Sequence, residues 1–174
     1  MKHTPEQTEK ITPLAVEAVL FDVGGTLIEP WPSVGHIYAE VAENFGGNSL
    51  DIERLNRQFL AAWKAKGDFH YTPEHWLGIV IESFQGMIHS EGCQELFPKL
   101  YQRFEDPDVW KVHEDVMPVL DELANRGFRL GIVSNWDTRL KPLLSRFTEA
   151  SELRATISEA PWLLACERYV TWPT

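Results

Sequence analysis

Asp22 closes the apolar run Ala18-Val19-Leu20-Phe21, and Gly24, Gly25 and Thr26 follow within four positions. A carboxylate placed there can attack electrophilic carbon or phosphorus and form a covalent ester. The glycine pair lets the backbone turn sharply and brings peptide N–H groups toward an anion, and Thr26 offers a hydroxyl to the same place. A second apolar run, Phe128 to Val133, ends in Ser134 and Asn135. At a strand-to-helix turn these two side chains can hydrogen-bond an oxyanion with help from the helix N-terminus. Alone, Ser-Asn reads as a helix cap, and a single acid at a strand end reads as structural. Acid, glycine pair and threonine together point to chemistry.

The elements that must position these groups follow from periodicity. A short apolar run bounded by glycine predicts a strand buried on both faces of a parallel sheet. Open α/β sheets bind ligands at the carboxyl ends of such strands, so parallel pairing of the two runs puts Asp22 and Ser134 in one crevice. Between them Glu29-Pro30-Trp31-Pro32 reads as a hinge. Ser33 caps a predicted helix to Phe45 through Val34, Ile37, Tyr38 and Val41. Asp51 to Lys66 reads as a second helix, burying Ile52, Leu55, Phe59, Leu60 and Trp63. Thr72-Pro73 opens a third, through Trp76, Ile79, Val80, Phe84 and Met87, and Cys93 to Phe104 reads as a fourth. Asp115 to Arg126 and Thr138 to Phe147 are further helices flanking the Phe128 to Asn135 strand. Helix, Gly127 and strand form half of a right-handed crossover.

The expected organisation is α/β: a polar leader 1–13, a Rossmann-like parallel core 14–30 and 107–147, an all-helical insertion 31–106, and an atypical tail 148–174. All eleven glycines lie at or before Gly131, no aspartate follows Asp137 and no lysine follows Lys141. The run Trp162 to Cys166 offers one short helix or strand, too little to complete a doubly wound sheet, so the core is expected to be incomplete at its C-terminal end.

Composition narrows the function classes. Hydrophobic residues make up 44% of the 174, and seven Trp, four Tyr and nine Phe argue for a packed globular core. A net charge of −10 disfavours nucleic acid and anionic membrane as partners. Cys93 and Cys166 show no CxxC or metal-ligand spacing and read as reduced thiols. No apolar run approaches the roughly 20 residues that span a bilayer, and the polar first residues show no signal peptide. The expected location is cytoplasmic, the expected partner a small molecule, with a homo-oligomer open.

Asp22-Val23-Gly24-Gly25-Thr26-Leu27 and Ile132-Val133-Ser134-Asn135 together resemble the first and second motifs of the haloacid dehalogenase superfamily of hydrolases. The helical block between them resembles that family's cap. The resemblance covers roughly residues 15–147. It implies a Rossmann-like core, an aspartyl-enzyme intermediate at Asp22, and catalytic or substrate contacts from Thr26 and Ser134. It also implies phosphate binding by Gly24, Gly25, Thr26, Ser134 and Asn135, and Mg2+ held in part by Asp22. The substrate it implies is a phosphate ester or a haloacid.

The sequence departs from this pattern in ways that bear on activity. Phosphatases of the family carry a second Asp two positions after the nucleophile as general acid and base; here Gly24 has no proton to give. Dehalogenase-type members also lack that Asp. Lys141-Pro142 matches the family's Lys-Pro dipeptide but follows Ser134 too closely to be the motif-three lysine, and no aspartate supplies motif four. The expectation is a hydrolase that is weak or inactive toward phosphate esters, either a chain whose C-terminal strands were replaced by unrelated sequence or a pseudoenzyme. Two rivals remain: a non-catalytic binding protein on the same scaffold, and the sugar-kinase or actin-like phosphate loop, which would show a β-hairpin directly after Thr26.

Overall fold

The computed structural model describes residues 16–47, 49–150 and 163–165, the backbone alone for 148–150 and 163–165. The expected leader, Cys166 and most of the tail lie outside the described residues. In chain order the elements are β1 (Ala18–Phe21), β2 (Ile28–Pro30), α1 (Val34–Glu43), α2 (Ile52–Ala65), α3 (Pro73–Ser83), α4 (Ser90–Arg103), β3 (Trp110–Val112), α5 (Val116–Asn125), β4 (Arg129–Val133), α6 (Leu140–Ala150) and β5 (Leu163–Ala165).

β1 and β4 pair in parallel with Val19 beside Leu130 and Phe21 beside Ile132, so the two motif-bearing strands end side by side. β5 extends the sheet in the order β1-β4-β5, parallel to β4. The Leu163 to Ala165 run, open between helix and strand from its sequence, is therefore a strand. The strands step in one direction, so right-handed crossovers bring both α5 and α6 to the same sheet face. Val116 and Leu120 of α5 pack with Leu130, while Leu140 and Leu143 of α6 pack with Ile132 and Val23. The expected burial of β1 and β4 on both faces is corrected accordingly: Leu20 is 56% and Val133 47% exposed on the opposite face.

The helical block lies between β2 and β3. Ser33 and Thr72 cap α1 and α3 through their side-chain oxygens, as their sequence positions predict, and Asp51, expected as the first residue of the second helix, caps α2 in the same way. Its centre holds Ile37, Tyr38, Leu55, Phe84, Leu96 and Leu100, each at most 3% exposed. Full burial of such side chains contributes about 1.5–3 kcal/mol apiece before entropy is counted. Two details differ from expectation. Leu60 is half-exposed at the flank of α2. α3 ends at Ser83, and Met87 lies in the turn beyond, its N–H donating to the Phe84 carbonyl.

The segment after Thr26 does form a strand, but not a hairpin. β2 pairs antiparallel with β3 across the whole helical block, Pro30 opposite Trp110. Proline is tolerated there because, among the described residues, β3 is the one strand paired with β2. Distant pairing removes the feature that would have favoured the phosphate loop of the sugar-kinase fold.

Candidate active site

Asp22 follows the last residue of β1, and Ser134 follows the last of β4. Parallel register carries them to the same edge, where Ser134 Oγ donates to Asp22 Oδ1 at 2.6 Å. Thr26 Oγ1 donates more loosely to Oδ2 at 3.4 Å. Both carboxylate oxygens thus face hydroxyls, which fix the carboxylate without neutralising it. Among the described residues Asp22 forms no ion pair.

Between these residues the chain makes a tight loop. Gly25 sits at φ +77°, a conformation that L side chains rarely adopt, and donates its N–H to the Ile28 carbonyl at 2.8 Å. Thr26, Leu27 and Ile28 all donate N–H to the Val23 carbonyl. The Gly25 amide is thus engaged within the turn itself. Gly24 and Gly25 still line the cavity described below.

Gly24 owes its identity to a neighbour. A Cβ built there would stand 3.0 Å from Cζ3 of Trp136. The indole therefore occupies the space into which a side chain at 24 would grow. Trp136 is not among the residues that motif and periodicity single out; its place two residues after Ser134 is the signal for it.

The helix after motif two also starts later than expected. Residues 134–137 form no regular secondary structure and α6 begins at Leu140, so Ser134 and Asn135 do not cap it. Asp137 does that work: Oδ1 accepts the Arg139 N–H at 3.0 Å, and its carbonyl accepts from the Leu140 N–H. Asp137 also receives the Arg139 guanidinium through Nε and Nη2, a pair whose side chains are only 6% and 7% exposed. The helical block closes on this pair. Trp76 Nε1 of α3 donates to Asp137 Oδ2 at 2.8 Å, and Arg139 Nη1 donates to the Tyr101 carbonyl of α4 at 3.0 Å. The guanidinium lies 3.6 Å from the Tyr101 ring centroid.

A cavity of about 430 Å³ opens between Asp22 and the helical block. Asp22, Ser134, Asn135 and Trp136 line one end, and aromatic rings of α1 to α4 line much of the rest. Burial raises the pKa of Tyr38 and Tyr101, with the nearby Arg139 charge opposing it, so both stay phenols at neutral pH. Lys141 is exposed in the first turn of α6 and does not line this cavity.

Mg2+, implied by the resemblance, finds a poor donor set. No group of three or more His, Cys, Asp or Glu residues comes together among the described residues, and Asp22 alone does not fit near-octahedral oxygen ligation.

Comparison with known proteins agrees with this architecture. "Haloacid dehalogenase-like hydrolase domain-containing protein 3" of Bos taurus is 31% identical over 144 residues, covering 75% of this chain and 56% of the relative. The Homo sapiens protein of that name is 28% identical over 146 residues, again covering 75% and 56%. The chain thus spans little more than half the length of these relatives. A crystal structure of a predicted phosphoglycolate phosphatase from Haemophilus somnus superposes with a TM-score of 0.53 at 15% identity, over 88% of this chain and 64% of that one, a likeness of fold. The family model of haloacid dehalogenase-like hydrolases matches residues 16–167, through β5 and beyond the stretch that carries the two motifs. With its paired strand ends, its helical block and a match over most of its length, this chain belongs to the haloacid dehalogenase-like hydrolase family.

Proposed function

We propose that this chain is a hydrolase of small molecules in which Asp22 is the nucleophile and the helical block 31–106 acts as a cap over the core. The observation that carries the reading is the bracketing of Asp22 by Ser134 Oγ at 2.6 Å and Thr26 Oγ1 at 3.4 Å in the wall of the cavity. An Asp22 oxygen forms a bond to the electrophilic centre while the bond to the leaving group breaks, and the leaving group departs with the electron pair. Water then attacks the ester, restores the carboxylate and yields its proton to solvent. Ser134 and Thr26 hold the carboxylate in line for attack. Asn135, beside Ser134, is positioned in chain order to contact the substrate oxyanion.

Gly24 supplies no proton, and Trp136 fills the space beside it. The reading therefore favours leaving groups that are stable as anions, a halide or the anion of an acidic hydroxyl. Ordinary alkyl phosphates need a proton at the departing oxygen and are turned over weakly or not at all. The setting we infer is cytoplasmic, supported by the acidic balance and by the absence, among the described residues, of a helix long and apolar enough to cross a membrane.

The test is hydrolysis of paired alkyl and aryl phosphates, with and without added magnesium, by the chain and its Asp22→Asn variant. Aryl turnover abolished by the substitution supports the reading. Turnover indifferent to Asp22 overturns the assignment of the nucleophile, and none with any activated ester or haloacid overturns the reading in favour of a binding protein on this scaffold.

A further inference from the structure

We propose that the cavity beside Asp22 selects substrates carrying a flat aromatic group, so that the substrate class is an ester whose leaving group is an aromatic hydroxyl compound. This rests on the reading of Asp22 as nucleophile and adds what the cap recognises. A space of about 430 Å³ lies within the range of pockets that hold drug-sized ligands and is large for a two- or three-carbon acid.

Its walls are rings arranged as faces and edges. Trp63 and Trp76 stack with centroids 5.4 Å apart at 11°, and Trp110 and Trp136 meet at 5.3 Å and 50°. Tyr38, itself stacked on Phe84 at 5.5 Å, closes another side. Aromatic rings prefer offset-stacked or edge-to-face partners, so a flat ring system inserted here gains contacts that an alkyl chain does not.

The charge pattern agrees. Among the described residues Arg139 is the cation that lines the cavity, and Asp137 and the Tyr101 carbonyl already engage its Nε, Nη1 and Nη2. A second carboxylate on a small substrate would have to compete with Asp137 for it. A neutral aromatic body meets no such competition. Gly24 points the same way, since a phenolate departs without the proton that residue 24 cannot supply. In the step proposed, the bond from Asp22 to phosphorus forms, the bond from phosphorus to aryl oxygen breaks, and the aryl oxide takes the electron pair. Water hydrolyses the aspartyl phosphate to inorganic phosphate, and the proton released ends on the aryl oxide.

The test separates recognition from chemistry. Fluorotryptophan-labelled chain is titrated with naphthylmethylphosphonate, which cannot be hydrolysed, and with methylphosphonate, in the wild type and in Asp22→Asn. Fluorine resonances are assigned by single Trp→Phe variants. The expected result is binding of the naphthyl probe at least about tenfold tighter than methylphosphonate. Resonances of Trp63, Trp76, Trp110 and Trp136 shift and that of Trp31 does not, in both proteins. Val34→Trp, which adds bulk at the cavity wall, is expected to abolish the preference, and its circular dichroism checks the fold. Equal affinity for the two probes, or shifts confined to tryptophans outside the cavity, overturns the proposal even where Asp22-dependent turnover is found. Aromatic binding without turnover upholds the cavity assignment and overturns the nucleophile instead.

Discussion

The Cβ that Gly24 lacks would stand 3.0 Å from Cζ3 of Trp136, which ties the identity of residue 24 to a side chain 112 positions away. A phosphatase-like acid at 24 and the indole at 136 compete for one volume. Gly24→Asp should therefore lower stability by about 1–3 kcal/mol, the usual cost of overpacking, without accelerating alkyl phosphate hydrolysis. Gly24→Asp combined with Trp136→Ala should be coupled, losing less than the sum of the single changes in urea denaturation. Strict additivity would mean that the indole simply swings away.

Asp137 joins the core to the helical block. Its partner Arg139 is buried, so Asp137→Ala leaves a guanidinium without its counter-charge and should cost about 3–5 kcal/mol. Trp76→Phe keeps the ring but removes the donor 2.8 Å from Asp137, and should cost only about 1 kcal/mol. Denaturant midpoints of the two variants check the order.

Arg103 of α4 holds Asp108 through two contacts, 2.7 and 2.8 Å, and reaches Glu40 of α1. Hydrogen bonding to Arg103, followed by its charge, outweighs desolvation and keeps the Asp108 carboxyl below the usual range. A depressed folded pKa stabilises the fold above the unfolded value of about 4, and the contribution fades as pH falls through the lower folded value. Because the Asp108 side chain is 68% exposed, the effect is under about 1 kcal/mol. Thermal melts should show Asp108→Asn below wild type at neutral pH and converging with it in acid. A pH-independent gap would assign the loss to packing.

Ser134→Ala removes the short hydrogen bond to Asp22 and leaves the looser one from Thr26. The expected outcome is a fall in kcat of about 10–100-fold with little change in KM, because orientation and not binding is lost. Thr26→Val should cost less. A Ser134→Ala change confined to KM would make Ser134 a binding group only.

Much of this arrangement was readable from the chain. Two apolar runs ending in Asp22 and Ser134 led to parallel strands, and Ser33, Asp51 and Thr72 announced helix starts, because caps and periodicity are local properties. What stayed hidden depends on distant partners. The exposure of Leu20 follows from both crossover helices taking one face, and β2 exists only because β3 returns to it 80 residues later. Trp136 and Asp137 read only as the link into a helix expected from Thr138, with Arg139 in its first turn, since nothing local says that Trp76 and Tyr101 close over them. The aromatic residues were counted as core when several of them wall the cavity.

The central claim is that Asp22 becomes covalently esterified. Rapid acid quench of the chain turning over naphthyl phosphate, followed by peptide mass mapping, tests it most directly. The account predicts a phosphoryl group on the peptide carrying Asp22, absent from Asp22→Asn, which nonetheless still binds naphthylmethylphosphonate. A phosphoryl group on any other residue, or undiminished turnover by Asp22→Asn, would contradict it.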